Sequence, residues 1–201
     1  MKWIKRTAIA FGVLLALLAA LPFFISLDYF IPRIEKEASA KLSVPVSIRE
    51  LTFSLLPLPH ITVDGIAIGK TADLKLGKVR ITPDLFSLMG HTKTIRSVEI
   101  DSLTVNQKAI DRIPVWFKSD AAKAPQQAPA VRVERIHLNN TVIRLEKASF
   151  GPFDAQVSLD SNGDPEEVSI TTQDGKLKAL LTAEKSNYRI DISAKSSKLP
   201  S

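Results

Sequence analysis

The chain has 201 residues, 45% of them hydrophobic and 24% charged, a composition that supports one folded domain of ordinary size. It contains no cysteine, which excludes a disulfide framework, a thiolate metal site and a thiol nucleophile. The net charge of +6 does not mark a nucleic-acid binder: Lys2, Lys5 and Arg6 supply half of it, and the other 24 basic residues are interspersed with 21 acidic ones.

From Thr7 to Leu27 the sequence runs TAIAFGVLLALLAALPFFISL, 21 residues without a charge. As a helix this run covers about 30 Å, the hydrocarbon thickness of a bilayer. Lys2, Lys5 and Arg6 precede it and Asp28 closes it, so the positive-inside rule predicts a cytoplasmic N-terminus with everything after Asp28 across the membrane. A cleaved signal peptide shares the basic start, but its apolar core is shorter and ends at an A-x-A-like site. Ala38-Ser39-Ala40 fits that pattern too far downstream, beyond the charged Arg33–Glu37 stretch. The run therefore reads as a retained signal anchor, and on either reading the rest is exported.

Residues 28–43 read as a juxtamembrane stalk helix. Pro32 suits its first turn, Ile34, Ala38 and Leu42 fall four apart on one face, and Pro45 stops it. From Val44 the period changes from 3.6 to 2. Val46/Ile48, Ile61/Val63, Ile66/Ile68, Leu74/Leu76, Val79/Ile81, Val98/Ile100 and Leu103/Val105 alternate with polar residues. Beyond residue 130 the same alternation recurs at Val131/Val133, Ile136/Leu138, Val157/Leu159, Val168/Ile170, Leu177/Ala179/Leu181 and Tyr188/Ile190/Ile192. Asp64-Gly65, Gly69-Lys70, Asn139-Asn140, Ser161–Asp164 and Asp174-Gly175 read as the turns between them. The expected fold is mainly β: an antiparallel, meandering, curved sheet of about nine to twelve short strands, either an open groove or sandwich-like. One helical turn is expected at Thr82–Gly90, capped by Thr82, with Pro83 in its first position and Leu85, Phe86, Leu88 and Met89 plugging one end of the sheet.

Residues 118–130 (KSDAAKAPQQAPA) show neither period and read as a linker or mobile loop. They separate a proximal β region, 44–117, from a distal one, 131–201, that ends in a polar tail. The two regions echo each other: Ile95-Arg-Ser-Val98-Glu-Ile100 and Val133-Glu-Arg-Ile136-His-Leu138 share a pattern that predicts either a structural repeat or a generic strand–turn–strand.

No catalytic constellation emerges. His60, His91 and His137 lack metal-ligand spacing, and there is no GxSxG, P-loop or GxGxxG. Glu35/Glu37 and Glu166/Glu167 read as solvated charges, and Asn162-Gly163-Asp164 lacks the ligand spacing of a calcium loop. The expectation is a non-enzyme without cofactor or metal.

In combination, the anchor, the charged stalk, Leu42–Leu51 (LSVPVSIREL), Ser54–Pro59 (SLLPLP), Ile61–Gly69 (ITVDGIAIG), Pro83–Gly90 (PDLFSLMG) and Ile95–Ile100 (IRSVEI) resemble the AsmA family of bacterial envelope proteins over about residues 1–110. The resemblance implies a single-pass protein of the inner membrane with its bulk in the periplasm. It also implies kinship with repeating β-groove proteins, whose sheets carry lipid chains, and a role in lipid transport or outer-membrane assembly. Family members are usually several times longer, so it implies a short member, a truncated product, or one segment extended by partners. The candidate groove lining is Val46, Ile48, Ile61, Val63, Ile66, Ile68, Val79 and Ile81, residues that would serve equally as ordinary core. The expected partners are the membrane, phospholipid acyl chains and other envelope proteins. The alternative function is a membrane-tethered periplasmic scaffold or assembly factor with a closed β core and no lipid cargo.

Overall fold

The computed structural model describes residues 27–55, 58–118, 131–184 and 187–194. The expected anchor up to residue 26, with Lys2, Lys5 and Arg6, lies outside them, as do residues 119–130 of the expected linker. Among the described residues no helix is long and apolar enough to cross a membrane.

A 3-10 turn, Asp28–Phe30, leads into α1, Ile31–Leu42, with Pro32 in its first turn. Ser43 ends the helix in the left-handed region at φ 55°, and Pro45 prevents its continuation. Leu42 packs with Ile68 and Leu74 around Val105 and Ala109, while Ile34 near the other end stays exposed. The rest of the seam is polar. Ser39 Oγ accepts the Val46 N–H at 2.9 Å and Glu35 Oε1 accepts the Ile48 N–H at 2.6 Å, so the helix satisfies the outer strand's free donors.

The other elements are β1 (Val46–Ser47), β2 (Glu50–Ser54), β3 (His60–Ile68), β4 (Leu74–Pro83), β5 (Lys93–Asn106), α2 (Gln107–Lys118), β6 (Val131–Val133), β7 (Arg135–Arg144), β8 (Ser149–Leu159), β9 (Pro165–Thr172), β10 (Leu177–Glu184) and β11 (Asn187–Ala194). Among the described residues all eleven strands form one sheet in the order β1-β3-β4-β5-β7-β8-β9-β10-β11, with β2 also on β3 and β6 also on β5.

The sheet is mixed rather than purely antiparallel. β6 and β7 run parallel to β5, because α2 and the stretch after it carry the chain back to the end of β5 where that strand began. Helix α2 is absent from the alternation reading because Pro114 falls inside it, at a position that ordinarily argues against a helix. The parallel pair also explains the internal echo. Ile95 lies beside Val133, Val98 beside Ile136 and Ile100 beside Leu138, so the two similar segments are adjacent strands in one constant register.

Two of the expected turns are not turns. Asp64-Gly65 lies inside β3 and Asn139-Asn140 inside β7; likewise the two short apolar runs expected in β4, and the two in β5, each belong to one long strand. These strands instead share a conformational break. Gly65 (φ 66°), Ser102 (φ 59°) and Asn140 (φ 53°) are left-handed, and the register sets Gly65 opposite Gly77, Gly77 opposite Ser102, and Ser102 beside Asn140. A Cβ on Gly77 would stand 2.9 Å from Ser102 Cβ and 3.0 Å from the Asp101 carbonyl, so glycine is what lets β4 pass the kink in β5. Asn139 Nδ2 donates to Asp101 at 2.8 Å, and the Asn140 N–H donates to Asp154 at 2.8 Å, tying the break across β5, β7 and β8.

The expected capped helical turn is also corrected. Thr82 and Pro83 belong to β4, only Ser87–Met89 form a 3-10 turn, and Gly90 sits at φ −88° rather than in the left-handed region. Leu85, Phe86, Leu88 and Met89 are exposed instead of plugging the sheet. Polar groups set this loop: the Asp84 N–H donates to the Thr94 carbonyl at 2.9 Å, and the Thr94 N–H donates to Ser87 Oγ at 2.8 Å.

Gly77→Val is expected to destabilise the protein by about 1–3 kcal/mol through this close approach. Thr141, buried beside the break, has a hydroxyl without a partner, so Thr141→Val should stabilise by about 1 kcal/mol. Urea unfolding of the full chain in detergent micelles measures both, with opposite signs.

Candidate functional site: an apolar band across the sheet

Two rows of side chains run across the strands on one face. The first is Phe53, Ile61, Ile81, Val98, Ile136, Val157, Val168, Leu181 and Ile190, each the direct cross-strand partner of the next. The second, two residues along each strand and so on the same face, is Leu51, Val63, Val79, Ile100, Leu138, Ala155, Ile170, Ala179 and Ile192. Together they form an unbroken apolar band over nine strands, aliphatic except for Phe53 and about 38 Å long at ~4.8 Å per strand. The row between them, on the opposite face, is polar through most of its length: Thr62, Arg80, Glu99, His137, Gln156 and Ser169. Arg80 and Glu99 pair there at 3.3 Å.

Four of the eight residues expected to line a groove belong to this band. Ile61 faces Ile81 and Val63 faces Val79. Ile66 and Ile68 lie beyond the break, three or more residues on, in a second apolar block where Ile66 faces Leu76 and Ile68 faces both Leu74 and Val46. That block is the covered one: Leu42 of α1, Val44 just after it, and Ala109 of α2 close over Ile68, Leu74, Val105 and Ile143. Ile48 sits between β1 and β2, outside both rows, with its N–H held by Glu35. Lys2, Lys5 and Arg6 lie outside the described residues.

The band itself is not capped in the same way. Among the described residues, strands touch their sheet neighbours, and no second sheet lies across the face. Burial is lost only at its last strands: Leu51, Val79 and Ala155 are 6–7% exposed, Ile170 on β9 is 37%, and Ile190 and Ile192 on β11 reach 63% and 69%. The band's other strands, β2, β5 and β7 to β11, were missing from the sequence candidates because alternation marks a face without saying which strands share a row; the register supplies that.

Among the described residues, several polar groups support the fold. Asp73 is 2% exposed, accepts a hydrogen bond from the Thr71 hydroxyl and pairs with Arg112 of α2 at 3.0 Å, which locks the helix to the β3–β4 turn. A polar hollow of about 350 Å³ beside it carries both signs of charge, from Lys108 and Arg144 against Asp73 and Glu146. Asp160 accepts the backbone N–H groups of Asn162 and Asp164, which organise the turn. Those bonds, Asp164's foremost, hold the Asp160 carboxyl below its usual range. Among the described residues no group of three His, Asp or Glu is placed to hold a metal. His60 Nδ1 lies 2.7 Å from the Leu58 carbonyl, at the bend before β3.

Comparison with protein-family models, with curated proteins and with solved structures finds no match to this chain.

Arg112→Met is expected to cost about 2 kcal/mol, less than a fully buried pair because the guanidinium is half exposed. Adding Asp73→Asn should recover part of that loss, since the stranded carboxylate is then neutral. A double-mutant cycle by thermal unfolding reads the coupling.

Proposed function

We propose that this is a membrane-anchored envelope protein that handles lipid, holding acyl chains along the apolar band of its sheet. The observation that supports this reading is the band: two apolar rows that run the width of a single-layered sheet and become more accessible toward β11. An aliphatic face left open to water is unfavourable by about 25 cal/mol per Å², and an acyl chain relieves that cost without demanding side-chain complementarity. The uncharged Thr7–Leu27 run supports an anchor with the sheet on the far side of a bacterial inner membrane. The AsmA resemblance agrees with this placement and with the repeated strand pattern. No catalytic role is assigned to any residue.

A second reading, a tethered scaffold or assembly factor in the same compartment, is favoured by β11. Among the described residues it is an edge strand with Tyr188, Ile190 and Ile192 exposed, suited to accept a strand from a protein partner.

Full chain extracted in mild detergent should carry phospholipid detectable by mass spectrometry beyond the level of a single-helix control. Ile170→Asp and Ile192→Asp sit at exposed band positions, so the fold should survive while co-purified lipid falls several-fold. Val79→Asp should unfold the sheet, costing several kcal/mol for a buried charge. Folded Ile170→Asp and Ile192→Asp variants with undiminished lipid, or a lipid-free wild type, would favour the scaffold.

A further inference from the structure

The end of the sheet where β2 and β4 finish, and β3, β5 and β6 begin, carries an apolar tip. Phe86 is 89% and Met89 95% exposed, the largest exposures of any apolar side chains here alongside Tyr29. Leu85 and Leu88 flank them, and Leu55 and Leu58 stand exposed on the neighbouring β2–β3 connection. Register places these connections at one end: Ser54 pairs with His60, Ile61 with Ile81, and Pro83 with Ile95.

The chain enters at the same end. Ser39 lies at Val46 and Glu35 at Ile48, and the turn Asp28–Phe30 packs against β2, so α1 runs parallel to β3, from the tip toward Ile68. From Leu42, level with Ile68, eleven helical residues retrace about 17 Å. The 3-10 turn adds about 6 Å. β3 covers the same ~23 Å between Ile68 and Ile61. Leu27, the last residue of the uncharged apolar run, is therefore level with the start of β3 and only a few residues short of the tip. Tyr29 and Phe30 beside it are exposed as well.

The loop's charges suit a lipid headgroup layer. Lys93 donates to the Leu88 and Gly90 carbonyls and so stands at the tip, with His91 next to it. Asp84, the single acid between residues 84 and 96, is engaged by the Phe86 N–H at 3.1 Å and by Arg96 at 3.8 Å. We propose that the β4–β5 connection, led by Phe86 and Met89, docks into the interfacial layer of the phospholipid bilayer that holds the N-terminal run. Aromatic and thioether side chains with a flanking lysine are suited to that layer. The proposal rests on the anchor reading given above, and the test separates the two.

The chain has no cysteine, so one introduced thiol reports one position. Full chain carrying Phe86→Cys, Met89→Cys, Lys70→Cys or Leu14→Cys is labelled with an environment-sensitive fluorophore and reconstituted into phosphatidylethanolamine/phosphatidylglycerol vesicles. Lys70, exposed at the opposite end of β3, is the aqueous reference. The expected result is a blue-shifted emission at positions 86 and 89, quenched at least twofold by shallow nitroxide lipids, with neither effect at 70. A quenched label at 14 with water-like labels at 86 and 89 overturns docking and leaves the anchor standing. A water-like label at 14 overturns the anchor, whatever 86 and 89 report. Labels at 86 and 89 that are wet in pure lipid but shielded in native membranes assign the tip to a protein partner and also overturn docking. Circular dichroism of each variant, which should match wild type because both tip side chains are exposed, confirms that the readings come from folded protein.

Discussion

The line Gly65–Gly77–Ser102–Asn140 is the constraint on which the rest of the sheet depends. Each strand that crosses it carries two apolar blocks whose spacing slips by one residue: Val63 to Ile66, Leu76 to Val79, Ile100 to Leu103. In an unbroken strand such a slip would send the two blocks to opposite faces. Gly65, Ser102 and Asn140 are left-handed and Gly77 lets β4 pass between them, so β3, β4, β5 and β7 break at the same height and the ladders among these four stay in register. Above the line, α1 and α2 close over the apolar block; below it, the second block remains as the band. One backbone device thus separates the structural half of the sheet from the half proposed to meet lipid.

The parallel pairing of β5 with β7 has a related consequence. An antiparallel meander would have inverted the next copy of the pattern. The return through α2 instead lays Val98 beside Ile136, Ile100 beside Leu138 and Ser102 beside Asn140, repeating both the apolar rows and the break. A row that continues across a junction is what turns two modest sheets into one band nine strands wide.

Much of this was legible in the sequence at the level of single strands. Period-2 alternation located the apolar positions, and most of them fall in rows. What it could not resolve was punctuation. Asp64-Gly65 and Asn139-Asn140 have turn chemistry because turn and kink make the same demand, a residue that tolerates positive φ. Only the pairing partner decides between them. At Thr82-Pro83 the helix-start chemistry was present but the ladder to β5 won, since Asp84 still bonds to Thr94. The Leu85–Met89 cluster read as core because apolar side chains usually are; here the strands end before anything can cover them. Arg112 and Asp73 carried no signal, being 39 residues apart and joined only by the return of α2.

The band and the tip fit together geometrically. The rows cross β3 and β4 at Ile61, Val63, Val79 and Ile81, within a few residues of the β4–β5 connection. With that connection in the bilayer interface, the band begins about 10 Å above it, within reach of a partly withdrawn acyl chain. The band then runs across the sheet to Ile190 and Ile192 on β11, its most exposed residues. Under the lipid reading proposed above, that edge is where a chain taken up near β3 and β4 would be given up.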